Sequence, residues 1–137
     1  MLRNIFFFSV FLLTSTAQSQ DYSFSESIDL NSDNIKELIT LNVDRERPNH
    51  FVLKINEISL SDFLGEEGTE VDGFQIIDID STDLVKEVSV HNPGPSCDDE
   101  YLVYWFDEKQ IKKVAHLSRW PIFKGNGDVY VDNWEGF

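Results

Sequence analysis

Four carboxylates run through one short stretch of this chain, Asp78-Ile79-Asp80-Ser81-Thr82-Asp83-Leu84-Val85-Lys86-Glu87. Asp78 and Asp80 are two residues apart, so on a strand they share a face. A turn at Ser81–Thr82 would swing Asp83 back toward that face. Hard cations such as Ca²⁺ take six to eight oxygens from carboxylates, carbonyls and water. Asp78, Asp80, Asp83 and Glu87 are therefore candidate metal ligands, with Ca²⁺ as the cofactor they suit. The same residues also read as an acidic turn in which Ser81, Thr82 and Asp83 satisfy the backbone themselves. Gly125-Asn126-Gly127-Asp128 is a second oxygen-rich stretch, and Asn-Gly is equally a preferred hairpin turn.

The other reactive residues form weaker patterns. His50, His91 and His116 lack the close spacing of helical zinc motifs. A Ser–His–Asp set can be assembled from Ser89, His91 and Asp78, but any chain this rich in serine and aspartate allows that. Cys97 is the only cysteine, so no intramolecular disulfide forms. Asp98, Asp99 and Glu100 beside it would raise the thiol pKa, which disfavours a nucleophile. Trp105, Trp120 and Trp134 with Tyr101, Tyr104 and Tyr130 read either as an aromatic platform for glycans or as core. No catalytic set stands out, and the expectation is a non-enzymatic protein.

The elements that must position these residues are strands. Phe51, Leu53 and Ile55 alternate, Asn56-Glu57 turns, and Ile58 and Leu60 follow. Phe74–Asp80, Val88–Val90, Ile111–Leu117 and Val129–Trp134 are further strand candidates. Tyr101–Phe106 is apolar on both faces, which predicts a central strand covered on both sides. Helical spacing is confined to Asn31–Leu41, where Lys36–Val43 reads equally as a strand. Short strands separated by polar turns predict an all-β domain, a small antiparallel sheet or sandwich or a propeller-blade-like unit, with at most one short N-terminal helix.

The first residues predict export. Arg3, the apolar run Ile5–Leu13 and the small polar exit Thr14–Gln20 match a secretory signal, with cleavage after Ala17 or Ser19. The apolar run is too short to span a bilayer, which takes about 20 residues. The expected organisation is a signal peptide over 1–19, a flexible polar arm over 20–34 and a single β domain over 35–137. The expected location is secreted or periplasmic.

The chain carries 11 basic and 25 acidic residues, a net charge of −14. Such a surface repels nucleic acid and anionic membranes and favours cations or a basic protein partner. Acidity concentrates between Glu57 and Glu100, where Lys86 is the only basic residue.

From Asp72 to about Leu117 the chain resembles a blade of the FG-GAP/VCBS type, the calcium-loop repeat of integrin-like β-propellers. Gly73-Phe74-Gln75-Ile76-Ile77-Asp78-Ile79-Asp80, Glu87-Val88-Ser89-Val90, Gly94-Pro95-Ser96 and the hairpin Tyr101–Leu117 carry the resemblance. It implies a D-x-D-x-D-G-x-x-[DE] loop that holds Ca²⁺ between two strands. Asp78 and Asp80 match its first two ligands, Asp83 the third after a one-residue insertion, and Glu87 the last. Leu84 stands where the family has glycine. Propellers need at least four blades, and 117 residues beyond the first 20 of 137 hold at most two. The sheet must then close differently, pack against the N-terminal hairpin, or assemble with other chains. Two functions fit these observations. One is an exported β-rich binding or structural protein with a Ca²⁺-stabilised acidic loop. The other is an acidic inhibitor or immunity-type protein that neutralises a basic partner.

Overall fold

The structure, a computed structural model, describes residues 21–65, 69–92, 100–118 and 121–131. The expected signal peptide, Cys97, Trp120 and Trp134 lie outside the described residues. Ten strands and no helix make up the described part, so the domain is all-β as the alternation predicts. Among the described residues no helix is long and apolar enough to cross a membrane.

The first four strands are β1 (Tyr22–Ile28), β2 (Glu37–Val43), β3 (His50–Ile55) and β4 (Ile58–Phe63). They form one antiparallel sheet in chain order. A second sheet repeats that plan with β5 (Gly73–Ile77), β6 (Glu87–Asn92), β7 (Glu100–Phe106) and β8 (Ile111–Ser118). A small hairpin, β9 (Pro121–Phe123) and β10 (Val129–Val131), follows.

Residues 20–34 are not a free arm throughout, because Tyr22–Ile28 is the paired strand β1. Tyr22, Phe24 and Ile28 pack against the core, while Ser23, Ser25 and Ser27 fall on the opposite face. A serine-rich composition therefore conceals a period of two. The helical option at Asn31–Leu41 does not form, and its second half becomes β2. The alternating burial of Ile39, Leu41 and Val43 explains the choice, since it suits a sheet with one covered face.

The two sheets face each other across one core. Ile39, Leu41, Leu53 and Ile55 from the first meet Val88, Val90, Leu102 and Tyr104 from the second. Leu64 and Val71, on the connection between sheets, are buried in the same core. Like-placed strands stack: Phe24 of β1 lies against Gly73 of β5, and the Phe51 ring of β3 meets Tyr104 of β7 edge-on at 6.2 Å. Gly73 has φ +142°, a conformation few side chains adopt. At the other edge Asp62 of β4 accepts the Tyr104 hydroxyl at 2.8 Å and pairs with Lys113 of β8 at 2.7 Å. Val114 is an extra residue in β8, and this bulge sets Lys113 opposite Tyr104. Burial opposes the Asp62 charge, but Lys113, the Phe63 N–H and Tyr104 outweigh it and hold the carboxyl below its usual range. Burial and Asp62 push the Tyr104 hydroxyl well up, so it stays a proton donor.

The stacking is front to back. In β2 the core-facing residues share the face of Glu37, whereas in β6 Val88 and Val90 face the core and Glu87 and Ser89 point the other way. That far face of the second sheet is buried too, at Ile77, Ser89, Tyr101 and Val103. Strand β7 is thus covered on both sides, as its two apolar faces predict. The far face of the first sheet is open and carries Thr40, Asn42, Val52, Lys54, Ser59 and Ser61.

Candidate functional site

Each meander begins with a hairpin whose long connection carries the chain's Asx-rich loops. Residues 29–36 join β1 to β2, and residues 78–86 join β5 to β6. Their sequences correspond: Ile28-Asp29-Leu30-Asn31 with Ile77-Asp78-Ile79-Asp80, and Lys36-Glu37 with Lys86-Glu87. The geometry corresponds as well. Glu37 Oε2 accepts the Leu30 N–H at 2.8 Å, and Glu87 Oε2 accepts the Ile79 N–H at 3.1 Å. Both glutamates are buried. The loops are also stitched together, by Lys86 N–H to Leu30 O at 2.8 Å and Ser32 Oγ to Leu84 O at 3.1 Å.

In the second loop Asp80 Oδ1 accepts the Thr82 N–H at 3.0 Å and the Thr82 hydroxyl at 2.6 Å. These bonds hold the Asp80 carboxyl below its usual range. Asp83 Oδ1 accepts the Val85 N–H at 2.9 Å, which bends the chain through Leu84 at φ +61°. Leu84 thus takes the left-handed conformation for which glycine is the usual choice. Burial, with Asp83 and Asp78 nearby, pushes the Glu87 carboxyl up despite the Ile79 N–H. Asp78 is exposed. The four residues therefore lie along one loop, but among the described residues no three Asp, Glu, His or Cys side chains converge as a metal cage. The turn 124–128 joins this loop: Ser81 donates from N and Oγ to Gly125 O at 2.9 and 2.7 Å, and Gly127 N–H reaches Ile79 O at 2.8 Å.

The first loop went unnoticed in the sequence, although Asp29-x-Asn31-x-Asp33-Asn34-x-x-Glu37 is the more regular spacing. Its signal was there to find, with Asn34 at φ +68° in the glycine position. Its oxygens are largely committed. Asp29 Oδ2 accepts Asn34 N–H, Asn31 Oδ1 accepts Asp33 N–H, and Asp33 accepts from Ile35 N–H and the Asn31 amide. Asp29 Oδ1 is buried without a partner. In the second loop Asp78 and the second oxygens of Asp80 and Asp83 accept no bond among the described residues. That loop has more to offer a cation.

The remaining candidates disperse. Ser89 Oγ is buried without a partner, and the His91 ring reaches the Ser89 carbonyl through Nδ1 at 3.5 Å and not the hydroxyl, so no nucleophilic relay forms. His50 bonds Asn49 and stacks on Phe63, and His116 meets Glu100 at 3.3 Å. Tyr101 and Tyr104 are buried, which removes them from any exposed glycan platform. Tyr130 is exposed and carries Lys124 3.9 Å above its ring.

The fold and loops define an all-β sandwich of two four-stranded meanders with an anionic loop end. Comparison with family models, with characterised proteins and with solved structures finds no match.

The buried glutamate of the second loop makes a pH prediction. A carboxyl with a raised folded pKa contributes its stability below its unfolded value, about 4.3, and loses it as pH rises through the folded one. Glu87→Gln keeps an acceptor for Ile79 and removes the charge. Its melting temperature at pH 7 without added cation should exceed the parent's by a few degrees, and the gap should close near pH 4. An unchanged gap across that range would show that Glu87 carries no charge penalty.

Proposed function

We propose that the chain is an exported, non-enzymatic binding or structural domain that presents an anionic end to cations, with Ca²⁺ held by Asp78, Asp80, Asp83 and Glu87. The observation that carries this reading is the repulsion built into the second loop, where buried Glu87 is held near Asp83 and Asp78. A cation relieves that repulsion. The loops at this end hold further carboxylates in Asp29, Asp33, Glu37, Glu57, Asp107 and Glu108. The leader-like N terminus supports export, and the dispersed histidines favour binding over catalysis. Ca²⁺ must draw the loop oxygens together and loosen the Asp80–Thr82 bonds. Its dissociation constant therefore belongs in the range of extracellular modules, about 10⁻⁴–10⁻³ M. The second reading, an acidic inhibitor that neutralises a basic partner, draws on the same anionic end.

Thermal unfolding with Ca²⁺ and with chelator tests the proposal. Stabilisation should reach about 2.7 kcal/mol when free Ca²⁺ is about 100 times its dissociation constant. Mg²⁺ should do less, because it demands tighter geometry and gives up water reluctantly. Asp80→Asn should weaken the response and Asp80→Ala weaken it further, while Asp72→Asn, at the opposite end, leaves it intact. No shift at millimolar Ca²⁺ would leave the loop as an acidic turn, and equal loss from Asp80 and Asp72 would mean diffuse screening.

A further inference from the structure

At the loop end a cleft of about 350 Å³ is lined from both sheets. Asp33, Glu37, Glu57 and Glu108 supply its charge, and Ile35, Ile58 and Phe106 supply apolar walls. Glu37 is the decisive residue. It is only 3% exposed, its Oε2 accepts the Leu30 N–H at 2.8 Å, and no ion pair to it forms among the described residues. A carboxylate this little exposed, held by one backbone N–H and with no cation paired to it among the described residues, gains from a counter-charge brought into the cleft. Glu108 is fixed from the other sheet by the Asn31 amide at 3.2 Å.

We propose that this cleft receives an arginine side chain from a basic polypeptide. A water molecule takes about 30 Å³, so the space suits a side chain better than one bare ion. The apolar walls match the aliphatic stem of a long cationic residue, whose charged head seeks the carboxylates. Guanidinium has five donors in a planar fork and is weakly hydrated, which favours it over ammonium where carboxylates stand apart around a partly apolar site. Ca²⁺ would need six to eight oxygens, and no three acidic groups converge here. The proposal goes beyond the Ca²⁺ reading and does not depend on it, since the second loop contributes no residue to the cleft.

The probe is acetyl-Gly-Arg-Gly-amide, titrated into the full chain and followed by amide NMR shifts. Its citrulline analogue, of the same shape without the charge, is the comparison. Shifts should centre on Ile35, Glu57–Ile58 and Glu108 with the arginine peptide and be at least about fivefold weaker with citrulline. Glu37→Gln keeps the Leu30 acceptor and should weaken binding most. Glu108→Gln, at an exposed turn that folding tolerates, should weaken it by about fivefold or less. Asp128→Asn should change nothing. Shifts spread evenly over the acidic surface, equal binding of citrulline, or indifference to both glutamate variants would overturn the proposal. Displacement of the peptide by Ca²⁺ with shifts at these same amides would make the cleft a metal site and overturn it too. Ca²⁺ shifts confined to Asp78–Glu87 report only on the second loop.

Discussion

Tyr104→Ala should cost about 3–5 kcal/mol, the range for emptying a buried aromatic site. That is a large share of the roughly 5–15 kcal/mol that holds a domain together. Tyr104 is fully buried, packs edge-on against Phe51, and sends its hydroxyl out of the core to Asp62. Tyr104→Phe separates the two roles. It keeps the ring and removes one hydrogen bond to a charged acceptor, about 1.5–3 kcal/mol. Lys113 and the Phe63 N–H still hold Asp62, which places the loss at the lower end. Urea unfolding checks both, with the denaturant slope unchanged for the phenylalanine variant. A Tyr104→Phe loss under about 0.5 kcal/mol, the scale of ordinary surface changes, would show that the Asp62 bond does not clamp the β4 and β8 edges.

A charge placed on the second sheet separates a covered face from an open one. Val103 is fully buried although it points away from the first sheet. Val103→Asp leaves a carboxylate there with no partner, at about 3–5 kcal/mol. Val52→Asp makes the same change on the open face of the first sheet, where Val52 is 38% exposed. That variant should stay within about 0.5 kcal/mol of the parent. Equal effects from the two would mean that β7 is not covered on both sides.

Much of this architecture was legible in the residues. Alternation marked β3 and β4, the β2 segment read equally as helix or strand, and the two apolar faces of Tyr101–Phe106 announced β7. The 22–28 strand was obscured because its outward residues are serines, and composition outweighed period there. Pairing between distant elements has no local signature, so the stacking of like-placed strands and the Tyr104–Asp62–Lys113 clamp could not be read in advance. The second loop was conspicuous for its charge. The first escaped because Asn31 fills one ligand-type position and Asn34 the glycine position, which leaves three carboxylates against the second loop's four. Its partnership with the second loop runs through backbone groups of Leu30 and Leu84, which no side-chain pattern encodes. The cleft was likewise invisible, since its walls come from turns far apart in sequence.

The front-to-back arrangement of the sheets gives the molecule a direction. Two units related by a reciprocal contact would consume the same surface on both and finish the assembly. Here one unit lends the face bearing Glu37 and the other lends the face opposite Glu87, so each contact leaves the arrangement open to continue in the same sense. Such a series grows by duplicating one meander, and it needs a first member that refuses a neighbour. Thr40, Asn42, Lys54, Ser59 and Ser61 give the outer face of the first sheet part of that character, although Leu38, Val52 and Phe63 are exposed on the same side; in repeat proteins the end units carry polar outer faces. The pattern of polar and apolar residues on that one sheet face decides whether a further unit finds a seat there, in the same code that elsewhere specifies the core.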